Sequence, residues 1–174
     1  ANVVHCGVDV EAIEKYKAEH DVIQVKKELG IPLDHKVISI VGIVSEIKGQ
    51  VHFAKAAVNL LNSSTDKKLT FLIVGSKNDA YANNIQNIID SAGFSQNIKL
   101  ILVATDVFKY FNISDICVNS SFTESFCIAN LEAMAFKKPL MITNVCGNPE
   151  QNIHNETGIL YPLDNMEAEI EKNL

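Results

Sequence analysis

Lys36-Val-Ile-Ser-Ile-Val-Gly-Ile-Val44 is a near-continuous run of β-branched residues, followed at 50–61 by Phe53, Ala54, Ala57, Val58 and Leu61 at helical spacing. A short apolar run of this kind reads as a strand buried on both faces, and the periodic segment after it as a helix packed on that strand. The same unit recurs along the chain. Residues 69–75 predict a second strand, and 81–92 a helix carrying Ile85, Ile88 and Ile89. A strand at 98–103, a short helix near 107–111, a strand at 116–119 and a helix from Ile128 follow. Last come a strand at 139–143, one helical turn at 149–154 and a short strand at 158–161. Strands that alternate with helices and are apolar on both faces predict a doubly wound α/β fold, a parallel sheet covered on both sides. Residues 11–29 predict one charged amphipathic helix, ended by Gly30 and Pro32, and residues 165–174 an acidic helix that is cut short.

At 174 residues, 47% apolar and 21% charged, the chain fits one ordinary domain. Its net charge of −6 argues against a general surface for nucleic acid or anionic membrane. No apolar run approaches the roughly 20 residues of a membrane span, and no basic segment precedes an apolar core as in a signal peptide. The chain opens at Ala1 without Met, which reads as a piece of a longer protein. Cys6, Cys117, Cys127 and Cys146 form no Cys-x-x-Cys pair, so neither a zinc site nor a disulfide framework is expected, and a reducing cytoplasm is the simplest setting. The five histidines form no spaced cluster, so no metal site or Ser-His-Asp triad is expected. All 15 basic residues are lysines; an anion site here works without the guanidinium fork.

Ligands of doubly wound sheets bind at the carboxyl ends of the strands, where four loops should converge: 42–49, 75–78, 119–124 and 144–150. Ser45-Glu-Ile-Lys-Gly-Gln50 puts Lys48 beside a helix start, where a lysine and free amides can neutralise a phosphate; it is not a P-loop. In Cys146-Gly-Asn-Pro-Glu150, Gly147 is free to take a positive φ, Pro149 suits the first helical position, and the amides could face an anion. Glu150 fits a ligand role or a first-turn acid equally well.

Ser121-Phe-Thr-Glu-Ser-Phe-Cys-Ile-Ala-Asn-Leu-Glu-Ala-Met-Ala135 spaces Glu124 and Glu132 eight positions apart across a strand-to-helix turn, with Ser121, Thr123 and Ser125 as candidate caps. Eight helical residues correspond to a rise of roughly 12 Å and a rotation of about 80°. The two carboxylates therefore do not meet as a dyad, but they can hold two ends of one elongated ligand. Taken alone, they read as a first-turn acid and a surface acid before they read as a ligand pair.

In order, these segments resemble the C-terminal, donor-binding domain of GT-B glycosyltransferases of the group 1, family 4 type. The resemblance starts at Val3-Val-His-Cys-Gly-Val-Asp9, similar to the family's interdomain hinge, and passes through residues 41–50, 71–75 and 114–120. It then takes in the Glu-x7-Glu element at 124–135 and closes on Gly147-Asn-Pro-Glu150 and Asn155-Glu-Thr-Gly-Ile-Leu-Tyr-Pro162. It implies a Rossmann-like domain over residues 1–174: a hinge and leading helix at 1–35, a core at 36–162, a final helix at 163–174. An N-terminal acceptor-binding domain would be its partner. It further implies retaining, metal-independent hexosyl transfer from a UDP-, GDP- or ADP-sugar, with no cofactor. Lys48 would hold the diphosphate, Glu132 the ribose hydroxyls, and Glu124 the transferred sugar together with the amides of Phe126 and Cys127. Lys48 and Glu124 are thus the implied catalytic pair. The implied nucleotide-sugar-binding residues are Gly42, Lys48, Ser125, Phe126, Cys127, Ile128 and Glu132. Ile43 and Ile47 stand where the family often has Arg, and Cys127 where it usually has Gly. Those departures motivate an alternative of another class, a non-catalytic α/β module with an assembly or regulatory role.

Overall fold

The computed structural model describes residues 6–174. It holds a six-stranded, wholly parallel sheet in the order β3-β2-β1-β4-β5-β6. The strands are β1 (Lys36–Val41), β2 (Leu69–Ser76), β3 (Ile98–Leu102), β4 (Ile116–Asn119), β5 (Leu140–Thr143) and β6 (Gly158–Tyr161). The helices are α1 (Val10–Glu19), α2 (Val22–Glu28), α3 (Gln50–Ser63), α4 (Ala80–Ala92), α5 (Phe108–Ile113), α6 (Ile128–Ala135), α7 (Asn148–Gln151) and α8 (Met166–Asn173).

Alternation along each strand sorts side chains to two cores. Ile38, Ile40, Phe71, Ile73, Val118 and Met141 pack under Phe53, Ala57, Ile85, Ile89, Met166 and Ile170, so α3, α4 and α8 cover one face. Val37, Leu72, Val74, Cys117, Leu140 and Ile142 point the other way, onto Ile13, Val25, Tyr110, Phe111 and Ala133 of α1, α2, α5 and α6. Both faces are dry, which explains why β1 and β2 lack polar alternation in sequence. The one polar residue inside β1, Ser39, is fully buried and lies 2.7 Å from the Ser114 hydroxyl.

The amphipathic segment at 11–29 is two helices, not one. His20 and Asp21 are extended, and the Asp21 carboxylate accepts from the Ile23 amide, which caps α2. That side-chain bond offers the backbone an exit from the helix in mid-pattern. The start of the hinge-like segment, residues 3–5, lies outside the described residues. α8 is docked rather than trailing: Met166 and Ile170 are buried, Asn59 Nδ2 donates to Glu171 Oε1 at 2.7 Å, and His52 Nδ1 lies 2.9 Å from Glu167 Oε1.

The chain builds β1, β2 and β3 outward, then returns to lay β4 against the other side of β1. That reversal opens a crevice between the carboxyl ends of β1 and β4, where the loops after them part to opposite faces. Among the described residues, no helix is long and apolar enough to cross a membrane.

Candidate active site

A cavity of about 340 Å³ occupies the crevice. Gly42, Ile43, Lys48, Gln50, Asn119, Ser121, Glu124, Phe126, Cys127 and Ile128 are among its lining, with Phe111, Cys117 and Val118 behind them. Six of the residues singled out in sequence thus meet in one place: Gly42, Lys48, Glu124, Phe126, Cys127 and Ile128. Ser125 is exposed and does not line the cavity. Nor does Glu132, which lies one turn beyond Ile128 on the same side of α6. Glu124 precedes α6 by four residues, so the helical rise predicted between the two glutamates does not apply.

Lys48 and Glu124 form an ion pair across the cavity, and the Ser121 hydroxyl lies 3.4 Å from the same Glu124 oxygen. The loops carrying them are zipped together: Ser120 Oγ donates to the Lys48 carbonyl at 2.9 Å, and the Phe122 amide to the Ile47 carbonyl at 2.8 Å. Gln50, 1% exposed, braces the β1 loop by donating to the Ile43 carbonyl and accepting from the Ser45 amide. Ile43 itself is 54% exposed at the rim.

Several sequence expectations change here. Three of the amides expected to be free beside Lys48 are already bonded within the protein. A 3₁₀ turn (Glu46–Lys48) intervenes, in which the Lys48 and Gly49 amides donate to the Ser45 carbonyl, while Val51 donates to the Tyr81 hydroxyl. The 146–150 loop is likewise a brace: Gly147 donates to the Glu124 carbonyl at 2.9 Å, Asn148 to Val145 and Glu150 to Gly147. Gly147 has φ −82, and the positive φ falls on Cys146 instead, at +44. Glycine is needed at 147 for room, because a Cβ there would run into the Ser125 carbonyl. Loop 75–78 does not reach the cavity; Gly75 packs against the Gly42 carbonyl and supports the β1 loop from behind. None of Ser121, Thr123 and Ser125 caps α6. Its N-cap is Cys127, with an ordinary φ of −78, and Thr123 bonds Cys146 instead.

The Cys127 amide, expected to face a sugar, donates to Gln151 Oε1 at 3.2 Å. Gln151 belongs to a buried amide cluster with Asn119, Asn130 and Asn148 that sequence reasoning missed. Its only signal was Asn130 inside the largely apolar helical pattern of 128–135.

Burial pushes the Cys127 thiol up, so this wall of the cavity stays neutral. The Thr123 hydroxyl beside the exposed Cys146 holds its thiol below the usual cysteine range. Among the described residues, no group of three His, Cys, Asp or Glu side chains converges as a metal centre requires.

Burial also pushes the Glu132 carboxyl up, and no described residue is bonded to its side chain. A carboxyl whose folded pKa is raised holds a proton that the unfolded chain releases. Its penalty is absent below the unfolded value of about 4.3 and grows as pH rises past it. Glu132→Gln should therefore raise the melting temperature near pH 7 and leave it nearly unchanged near pH 3, read by thermal melts at the two pH values.

The glycosyl transferases group 1 model matches residues 21–172, an interval that contains the whole sheet, the cavity and the amide cluster. The chain belongs to the group 1 glycosyltransferase family. This group 1 domain is 29% identical over 165 residues to a D-inositol 3-phosphate glycosyltransferase of Corynebacterium glutamicum, covering 91% of the chain and 39% of that protein. The domain therefore spans about two-fifths of the length of the curated relatives it matches. Among solved structures it superposes on the C-terminal domain of a group 1 protein, LpcC, of Francisella tularensis. The TM-score is 0.78 at 25% identity, covering 95% of this chain and 85% of that one. The UDP complex of Anabaena HepE gives a TM-score of 0.81 at 19% identity, with 98% of this chain and 47% of that one covered. These superpositions assign the group 1 domain the Rossmann-like half of a GT-B fold.

Proposed function

We propose that this domain binds a nucleotide diphosphate sugar in the β1–β4 crevice and serves as the donor half of a retaining hexosyltransferase. The observation that carries the reading is the meeting of Lys48 and Glu124 in one cavity at the strand-order switch. A departing nucleoside diphosphate gathers negative charge on its phosphates while the sugar becomes cationic. Lys48 is placed to neutralise the first and Glu124 to hold the second, with charge stabilisation that strengthens as the bond breaks. Glu132, half-buried and without a partner among the described residues, would take the ribose hydroxyls further along α6. The leaving-group charge is met by the lysine, so the scheme calls for no metal or cofactor.

The relatives support a nucleotide-sugar donor: HepE has been solved with UDP and with UDP-glucose, and the Corynebacterium protein is a D-inositol 3-phosphate glycosyltransferase. An N-terminal domain would supply the acceptor site, so the 174-residue chain alone should bind donor but scarcely turn it over. Its four free cysteines suit a reducing, cytoplasmic setting.

Calorimetric titration with UDP, GDP and ADP and their glucose conjugates tests the reading. One nucleotide series should bind, and its sugar conjugate should bind with a heat distinct from that of the free diphosphate. Absence of binding by every ligand at millimolar concentration overturns the proposal. Donor binding without transfer by the longer chain would favour the non-catalytic module instead.

A further inference from the structure

Gln151 lies on α7, 24 positions beyond Cys127, and is 7% exposed. Its carboxamide meets both main-chain groups of Cys127: Oε1 accepts from the amide at 3.2 Å, and Nε2 donates to the carbonyl at 2.9 Å. One side chain thus holds Cys127 as a neighbouring strand would, at the residue where α6 begins and where Phe126, Cys127 and Ile128 line the cavity.

The amide is itself oriented. Asn130 Nδ2 donates to Gln151 Oε1 at 3.0 Å and lies 3.3 Å from Asn148 Oδ1. Asn119 Nδ2 donates to Asn130 Oδ1 at 3.3 Å, and Asn119 Oδ1 accepts from the Ser121 amide at 2.9 Å. Asn148 Nδ2 donates to the Thr143 carbonyl at 2.9 Å, and the Thr143 hydroxyl to the Ser121 carbonyl at 2.7 Å. The relay therefore ties the Cys127 main chain to the loop that carries Glu124, through the ends of β4 and β5. Apolar side chains would fill this space without desolvating four amides, but only a chain of donors and acceptors fixes the rotation of each member. No link in it titrates.

Resting on the donor-site reading above, we propose that Gln151 is a positioning residue: through Cys127 and the Asn130–Asn119 relay it sets the main chain and the Glu124 loop against which the sugar diphosphate docks. It touches no ligand itself.

The test titrates the chain with UDP-, GDP- and ADP-glucose as wild type, Gln151→Met and Gln151→Glu, with Ile170→Val in the remote core as a control of lowered stability. Gln151→Met keeps the volume and loses every bond. It should weaken binding of the accepted nucleotide sugar about tenfold, the loss expected for one to two hydrogen bonds, whereas Ile170→Val should bind as wild type. Gln151→Glu keeps the acceptor for the Cys127 amide but, when ionised, loses the donor to its carbonyl. Its affinity should recover as pH falls and the carboxyl regains a proton, relative to wild type over the same range. The other titratable groups nearby, Cys127, Glu150 and the Lys48–Glu124 pair, are common to both proteins and cancel in that ratio. Wild-type affinity in Gln151→Met, or a Gln151→Glu profile parallel to wild type, overturns the inference while leaving the donor site standing. If Gln151→Met does not fold, the Gln151→Glu profile decides. Failure of the wild type to bind any of the three sugars overturns the donor-site reading, and the inference with it.

Discussion

Lys48→Met is expected to weaken donor binding by about ten- to a hundredfold, because a hydrogen bond to a charged group contributes about 1.5–3 kcal/mol. The effect should be this large because Lys48 is the one cation among the described residues lining the cavity, and the chain has no arginine to stand in. Among the described residues, the same substitution leaves the Glu124 side chain, 10% exposed, with only the Ser121 hydroxyl, so the melting temperature should also fall. Glu124→Gln separates the two roles. It releases Lys48 from its internal partner, so affinity for the free nucleoside diphosphate should hold or rise, while any added affinity of the sugar conjugate is lost. Calorimetric titration of both variants with diphosphate and with sugar conjugate measures this. Equal affinity of Lys48→Met and wild type would remove Lys48 from the site.

Gly147→Ala is expected to destabilise the protein by about 2–4 kcal/mol, from overpacking and one lost backbone hydrogen bond. The new methyl meets the Ser125 carbonyl, which is main chain and cannot swing aside, and parting the loops breaks the Gly147-to-Glu124 bond. Donor affinity should fall with stability, since the loop displaced is the one that presents Glu124. Cys146→Gly, one residue earlier, should stay within about 1 kcal/mol of wild type, because relief of its φ of +44 offsets the added freedom of the unfolded chain. Urea denaturation of the two variants checks the contrast; a Gly147→Ala protein as stable as wild type would show that the loops are not held together at this point.

Much of the fold was legible because its signals are local. The β-branched runs at 36–41 and 69–76, and the 3.6-residue pattern at 50–63, each depend on neighbours a few positions away. The misreadings arose where a short polar side chain competed with the pattern. Asp21 interrupted a helix that its apolar periodicity carried through, and three hydroxyl residues before α6 suggested a cap that Cys127 took instead. At the site, Lys48, Glu124 and Gly147 could be named from motif spacing. Gln151, Asn130, Asn119 and Asn148 could not, because an isolated carboxamide in a sequence gives no sign of whether it faces water or another amide.

By itself the sequence determined the six strands and the helices between them, that both faces of the sheet are covered, and that acids, a lysine and glycines lie in the loops at one edge. Only the tertiary structure decided which of them meet. Lys48 and Glu124 are 76 residues apart and pair because β4 returns to lie beside β1, and Gln151 reaches Cys127 because Gly147 lets two loops touch. Strand adjacency and the direction of a buried amide are settled by the packing of the whole chain, and no local period encodes them.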